Sequence, residues 1–392
     1  MNILLTQRRS NNRGSGNNPI ALLDLSPYLR NLGHSLDSYF LDELPNNRKY
    51  DVIGLSSLTY AKIMVEDALY LRAKFKDTKI VVGGKGARCF DPIETQILKE
   101  NNVEIWTRSG EEYFSRKEDI DYNNYPSWDA ADLKNLRVKN EGLMSSRGCP
   151  YHCNFCHNTE KKISFFPAPR TVDNLELLFK LGRDYVFFVD DIFTIKVEHM
   201  LDIYEECKKR NILIEGKNQF FAHINYINEE SAKAMALFRP IAVEIGLESG
   251  DDNMLKMMGK SFTTEIAYEK LKILSRYVPI VGLFLIGFPT ESIESLNNTI
   301  RFVSRIRGFL KNIWVSFYCP VSHTLGYKLA QENGIIIDRS HDNTKINYID
   351  QRLKEKDLFL YRNLIYNVFL RSKYKILKNK LRSFALAILN KK

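Results

Sequence analysis

The sequence predicts an α/β protein built from two successive strand–helix series. The first is a doubly wound N-terminal domain, the second a partial (β/α)6 barrel of TIM type, and a helical C-terminal extension follows. Three observations carry this reading. Short apolar runs alternate with segments of helical apolar spacing through most of the 392 residues, the pattern of parallel sheets covered by helices. The alternation breaks once, over residues 117–140, in a polar stretch of Asp, Asn and Tyr that contains Pro126. From Gln351 to Lys392 the composition changes, and twelve Lys/Arg against two Asp/Glu account for the whole net charge of +10.

Taken in order, residues 2–6 (NILLT) read as a buried strand and Gln7–Asn18 as a polar loop. Ile20–Leu32 has helical spacing and ends at Gly33, a favourable C-cap. Strands are expected at 35–41, 51–57, 79–83 and 103–107, with helices near 62–76 and 93–99, giving a first domain over residues 1–116. Residues 117–140 read as a linker draped over the surface. The second series fills 141–335. It opens with a strand at 142–147 that runs straight into a cysteine-rich loop. Further strands are expected at 184–190, 218–223, 241–247, 279–286 and 312–318, and helices at 172–181, 196–209, 229–237, 264–276 and 292–309. In barrels of this kind chemistry sits at the C-terminal ends of the strands. Residues 336–392 read as a basic helical extension, either a lid with its apolar face on the barrel or an amphipathic helix on an anionic membrane surface.

Six cysteines, at 89, 149, 153, 156, 207 and 319, are few for this length, and three are clustered. That fits a metal site in a reducing compartment better than a disulfide framework. The N-terminus lacks the apolar core and cleavage pattern of a signal peptide, and no run of eighteen apolar residues suggests a membrane span, so a cytoplasmic location is expected. Outside the tail the charges balance, so the basic character gives no ground for nucleic-acid binding by the body of the protein.

The most informative stretch is Arg147-Gly-Cys149-Pro-Tyr-His-Cys153-Asn-Phe155-Cys156. Three thiolates within eight residues hold three irons of a cubane cluster and leave the fourth open for a substrate to coordinate. The alternatives are a zinc knuckle completed by His152 or His157, or three unrelated thiols. The spacing C-x3-C-x2-C, with the aromatic Phe155 before the last cysteine, resembles the signature of the radical S-adenosylmethionine superfamily.

That resemblance implies a [4Fe-4S] cluster on Cys149, Cys153 and Cys156. It implies S-adenosylmethionine as the cofactor cleaved to a 5′-deoxyadenosyl radical, and an electron donor such as flavodoxin or ferredoxin. Other segments extend it. Tyr185-Val-Phe-Phe-Val-Asp190-Asp191 is similar to the second barrel strand of the family, whose end contacts the amino group of S-adenosylmethionine, so Asp190 or Asp191 is a candidate, with helix capping the other role for Asp191. Val243-Glu-Ile-Gly-Leu-Glu248-Ser249-Gly is similar to the segment near the ribose and methionine carboxylate, which makes Glu248 and Ser249 candidates. Glu248 is alternatively a structural partner of Arg147 or Lys260. Val281–Gly287-Phe-Pro-Thr-Glu291 matches the strand that packs on adenine. Gly287 would let the backbone approach the ring, and Glu291 would cap the next helix. In the sixth-strand segment Ser322 and His323 replace the usual Pro-Gly, and Cys319 is either a small apolar residue or an active-site thiol.

The first domain, with Leu22–His34, Asp51–Thr59 and Val81-Val-Gly83-Gly84, resembles the Rossmann-like cobalamin-binding domain that precedes the barrel in one subgroup of the family. Ser56, Leu58, Gly83 and Gly84 are then the candidate corrinoid contacts. The D-x-H-x-x-G motif that supplies a cobalt-ligating His elsewhere is absent, and a vestigial domain is the alternative. His34 follows a helix C-cap and is expected at a helix end. The resemblance implies a cobalamin-dependent C-methyltransferase acting on a small-molecule or peptide substrate. A radical cyclase or rearrangement enzyme, and a non-catalytic corrinoid or redox sensor, are the other readings.

Overall fold

The structure, a computed structural model, describes residues 1–9, 19–56, 61–136, 142–158, 160–338 and 342–370. The first sheet has β1 (Asn2–Gln7), β2 (Ser35–Phe40), β3 (Val52–Ser56), β4 (Lys79–Gly83) and β5 (Val103–Ile105), all parallel, in the order β2-β1-β3-β4-β5. Helices α1 (Ile20–Asn31), α2 (Ala61–Lys74) and α3 (Pro92–Glu100) cross between them. β1 carries Ile3, Leu4 and Leu5, all buried, because helices cover both faces of a parallel sheet. The order reverses between β1 and β3, and in open sheets of this type ligands bind at such a switch point, beyond the strand C-termini. Ser56 and Gly83 are register partners at those ends. His34 lies at the opposite end, before β2, against Phe114.

The described part of the expected surface linker, residues 117–136, departs from that reading, and residues 137–140 lie outside the described residues. After α4 (Glu111–Phe114), the chain passes two 3-10 turns to α5 (Ala130–Asn135), and Tyr125, Trp128, Leu133 and Leu136 enter the main core. Two isolated aromatics in a polar stretch carry no periodicity, yet each buries a large apolar area.

The second sheet is the six-stranded partial barrel. Its strands are β6 (Gly142–Leu143), then, after the hairpin of β7 (Ser146–Arg147) and β8 (Ser164–Phe165), β9 (Val186–Phe188), β10 (Asn218–Ala222), β11 (Ala242–Glu248), β12 (Ile280–Ile286) and β13 (Leu310–Phe317). The order β13-β12-β11-β10-β9-β6 is sequential and parallel, with β6 and β13 as open edges. The covering helices are α6 (Ala168–Lys180), α7 (Val197–Lys209), α8 (Glu229–Leu237), the short α9 (Asp252–Met257), α10 (Thr264–Leu274) and α11 (Ile293–Ile306). The expected strand 142–147 is two short pieces. Ser145 between them turns its N–H and hydroxyl to the buried Asp190 carboxylate, which stops the ladder with β9.

α12 (Leu325–Asn333) and the hairpin of β14 (Gly334–Ile336) and β15 (Tyr348–Asp350) lead into a last helix, α13, over 355–370. Its face of Leu358, Tyr361, Ile365 and Phe369 is buried in the main core. It also covers the free edge of β13, where Val315 N–H donates to Tyr366 Oη at 3.0 Å. Nearby, Phe317 N–H donates to the Asn343 carbonyl at 2.9 Å. No helix among the described residues is long and apolar enough to cross a membrane.

Candidate functional site

The cysteine loop follows β6 and β7, at the C-terminal end of the first barrel strand, and is stitched down on several sides. Gly148 has φ +101°, and a Cβ there would sit 2.2 Å from the Lys162 carbonyl oxygen, so only glycine fits. Cys149 N–H donates to the Glu160 carbonyl at 2.9 Å, and Asn154 N–H to the Met258 carbonyl at 2.8 Å. The Asn154 carbonyl in turn accepts from Gly326 N–H of α12 at 2.8 Å. Asn158 N–H points at Cys156 Sγ, 3.4 Å away, the kind of bond that tunes an iron-bound sulfur. Cys149 and Cys153 are half-buried and Cys156 is exposed.

The three thiols feel one another electrostatically. Burial pushes Cys149 up and Cys153 up to about 11, with the Lys260 ammonium working against the latter. Iron would deprotonate them outright. A cubane takes one thiolate for each of three irons, which Cys149, Cys153 and Cys156 on one loop can supply, whereas a structural zinc site needs a fourth donor on the same ion.

Arg147, immediately before the loop, is held from the first domain. Its guanidinium donates to Asp24 of α1 at 2.9 Å and to Glu111 of α4 at 2.6 Å. Arg170 of α6 also pairs with Asp24, Trp128 Nε1–H donates to Asp24 at 2.7 Å, and Tyr125 Oη–H to Glu111. Burial alone would raise both carboxyls, but Arg170 and Arg147 hold Asp24, and Arg147 holds Glu111, below the usual range. One buried and one largely buried cation thus balance two buried anions. Sequence reading missed this group because its members lie up to 146 positions apart.

The expected strand-end residues divide into two kinds. Asp190 is fully buried and accepts from Ser145 N–H, Ser145 Oγ at 2.8 Å and Ser146 Oγ at 2.6 Å. Desolvation pushes its carboxyl up to about 6 despite these bonds. It therefore anchors the approach to the cysteine loop and presents no open oxygen. Asp191 is partly open. It pairs with Lys85 of the first domain at 3.0 Å and accepts from Asn158 Nδ2 at 2.8 Å. Glu248 takes φ +59° at a bulge of β11 and pairs with Lys260 at 3.3 Å, while Arg147 is engaged elsewhere. Ser249 is buried with its hydroxyl 3.3 Å from Thr299 of α11, turned into the helix layer.

Gly287 has φ +80°, but a Cβ there would meet Leu358 of α13 at 3.4 Å, so its open side is already covered. Glu291 does not cap α11 as expected. Ser292 caps it through a box with Ser295, while the buried Glu291 carboxyl accepts from Gly287 N–H, and its other oxygen finds no partner among the described residues. Phe155 packs beside Met254, Met258 and Phe288. Cys319 accepts from Asn347 Nδ2 at 3.1 Å, and burial pushes it up to about 12, as for a packing residue.

In the first domain Ser56 and Gly83 stand side by side, and Gly84 (φ +82°) turns the chain into a 3-10 turn over Lys85–Cys89. Among the described residues a Cβ at Gly83 would meet only the Trp106 carbonyl, at 3.8 Å. Leu58 lies outside the described residues. The two sets of strand C-termini are therefore joined by the Lys85–Asp191 pair and by Val321, which follows β13 and packs in the first domain's core.

A further residue escaped the sequence reading. His223, at the end of β10, stacks on Tyr151 of the cysteine loop at 4.0 Å between ring centroids. Its Nδ1 accepts from Asn225 N–H, which leaves the proton on Nε2. Burial and the Lys260 ammonium push the imidazole down to about 3, and the buried Nε2 finds no partner among the described residues. A buried donor without a partner beside the cysteine loop marks a place for a hydrogen-bond acceptor.

Residues 143–303 match the Radical SAM superfamily. The chain is 28% identical over 199 residues to an uncharacterized methyltransferase, PH0819, of Pyrococcus horikoshii; the match covers 48% of this chain and 42% of that protein, so it spans less than half of the relative's length. It is 24% identical over 360 residues to the uncharacterized protein MJ1620 of Methanocaldococcus jannaschii, covering 71% and 70% of the two chains. Among solved structures, the radical S-adenosylmethionine methyltransferase TsrM of Kitasatospora setae, with cobalamin and a [4Fe-4S] cluster bound, superposes with a TM-score of 0.69 at 15% identity, over 84% of this chain and 78% of that one. The cobalamin-dependent S-adenosylmethionine radical enzyme OxsB superposes with a TM-score of 0.72 at 17% identity, over 92% and 66%. At these identities the likeness is one of fold.

Proposed function

We propose that this chain is a radical SAM enzyme and a cobalamin-dependent methyltransferase that transfers a methyl group to an unactivated carbon. The observation that carries the reading is the apposition of two strand-end sites, the cysteine loop with Asp191 on one side and the Ser56–Gly83 pair of a 2-1-3-4-5 sheet on the other, joined by Lys85.

Cys149, Cys153 and Cys156 would hold the [4Fe-4S] cluster, Asp191 and Glu248 lie where S-adenosylmethionine would bind, and Ser56, Gly83 and Gly84 border the space for a corrin. Bound there, these groups supply one-electron cleavage of a sulfonium, the hydrogen-abstracting radical that results, and a carrier for the methyl group. The chain's own part is to hold and exclude. The buried Asp24–Arg147–Glu111 group fixes the cysteine loop against the first domain. Asp190 fixes the residues ahead of that loop, and the covered barrel keeps water from the reacting atoms. Asp191, the partly open carboxylate of its pair, would accept from the amino group of S-adenosylmethionine.

The test is anaerobic reconstitution with iron, sulfide and hydroxocobalamin, followed by desalting and metal counting. Near one cobalt with about four irons per chain, and formation of both S-adenosylhomocysteine and 5′-deoxyadenosine, is the expected result. Four irons with no cobalt, and 5′-deoxyadenosine alone, would move the protein to the cyclase or rearrangement class.

A further inference from the structure

α13 is apolar on two sides. Its inner side, Leu358, Tyr361, Ile365 and Phe369, packs in the main core. Beyond its first turn the exposed side chains are Phe359, Leu360, Asn363, Leu364, Asn367 and Leu370, and none is charged. At 3.6 residues per turn all six fall within one arc of about 140°. Phe359, Leu360, Leu364 and Leu370 are 43, 53, 36 and 51% exposed. A surface helix ordinarily turns one apolar stripe to the core and charge to solvent. Here Arg362, the one charged residue from 359 to 370, lies with its guanidinium 4.9 Å from the Phe317 ring centroid. The segment that follows carries charge of a single sign. Residues 371–392 hold eight Lys/Arg and no Asp/Glu, with Ile376, Leu377, Leu381 and Phe384 among them.

We propose that the outer face of α13 and the basic segment after it dock the protein on an anionic lipid surface. The inner side of α13 is committed to the core, so the helix lies along the interface and does not cross it. Leu360, Leu364 and Leu370 enter the boundary between headgroups and acyl chains. Lysine and arginine stems follow the apolar surface and lift their charges to the lipid phosphates. Each signal alone gives a weak, reversible attachment, and the two together give a stable one. A soluble polyanion would satisfy the basic residues but leave the outer face of α13 in water. Folding 371–392 back onto that face would set eight cations beside Lys354, Lys356 and Arg362, with only Glu355 and Asp357 to offset them. Lipid phosphate removes that repulsion from outside.

The experiment uses the full chain and sedimentation with sucrose-loaded vesicles, either of phosphatidylcholine alone or with a third of phosphatidylglycerol. Wild type should sediment with the mixed vesicles, stay in solution with the neutral ones, and be released by high salt. Leu360→Ser/Leu364→Ser should bind the mixed vesicles about ten-fold more weakly. Lys375→Gln/Lys378→Gln/Lys380→Gln should bind them about a hundred-fold more weakly. Both variants should keep the wild-type thermal midpoint, since none of these changes reaches the inner side of α13. Wild type that ignores both vesicles, or binds both equally, overturns the inference. So does a leucine variant that binds like wild type, which would mark a site for polyanions in general. Binding gained only by a chain ended at Leu370 also overturns it, and would assign the outer face to residues 371–392.

Discussion

Arg147 and Asp24 meet at 2.9 Å although 123 positions separate them, and through this contact the residue that opens the cysteine loop is tied to the first helix of the other domain. Asp24 is saturated by Arg147, Arg170 and Trp128, and Glu111 by Arg147 and Tyr125. The group holds together as a whole, because Asp24, Glu111 and Arg170 are out of water and Arg147 nearly so.

Removing one member should be expensive. Asp24→Asn leaves two guanidiniums short of an anion and should destabilise the protein by about 3–5 kcal/mol, measured by urea denaturation. The same variant should retain less iron after desalting, since Arg147 would no longer be held. An unfolding midpoint within error of wild type would refute this account of the group.

Each cysteine of the loop should be separately necessary. Cys149→Ala, Cys153→Ala and Cys156→Ala should each fall from about four irons per chain to near none after reconstitution, with the broad thiolate-to-iron absorption lost. Cys319→Ala, whose thiol is held by Asn347 away from the loop, should keep its full iron content.

Gly83 separates the two metal contents. Among the described residues its missing Cβ would touch only the Trp106 carbonyl, at van der Waals distance, so Gly83→Phe should fold and load iron normally. A ring there fills the space beside Ser56, and cobalt retention should fall at least ten-fold. Cobalt retained at the wild-type level would move the corrin space elsewhere.

Glu291 gives the stability a defined pH slope. Burial pushes its carboxyl up to about 8 from an ordinary value of 4.5. The folded chain therefore keeps a proton that the unfolded chain loses between those values, and this part of the stability is full below about 4.5 and falls away as pH rises towards 8. Glu291→Gln removes the titration. Its midpoint, compared with wild type in thermal melts at pH 6 and pH 8.5, should gain on wild type at the higher pH.

What the sequence could and could not show follows from the range of each interaction. Strands such as β1 and β12 were legible because burial on both faces forces continuous apolar runs, and Gly148 and the cysteines because a loop must carry its own ligands. The break at Ser145 was not legible, since it is made by Asp190 from another strand. Nor was the burial of Tyr125 and Trp128, two aromatics without a period in a polar stretch. Asp24, Glu111, Arg170 and Lys85 carry no local mark at all; each acquires its role from a partner that folding brings to it. The Asp190–Asp191 pair was visible as a pair, but only the geometry shows that the first is a closed anchor and the second an open carboxylate.

The covering of β13 by α13 has a consequence for how copies of this protein behave toward one another. A chain cut before residue 355 would uncover the edge of β13 beside the already exposed Trp314, with Val315 N–H deprived of the Tyr366 oxygen. Such an edge is a template on which a strand from another molecule can pair. The extension thus serves as a guard against self-association, and preparations shortened at this end should become cloudy before they become inactive.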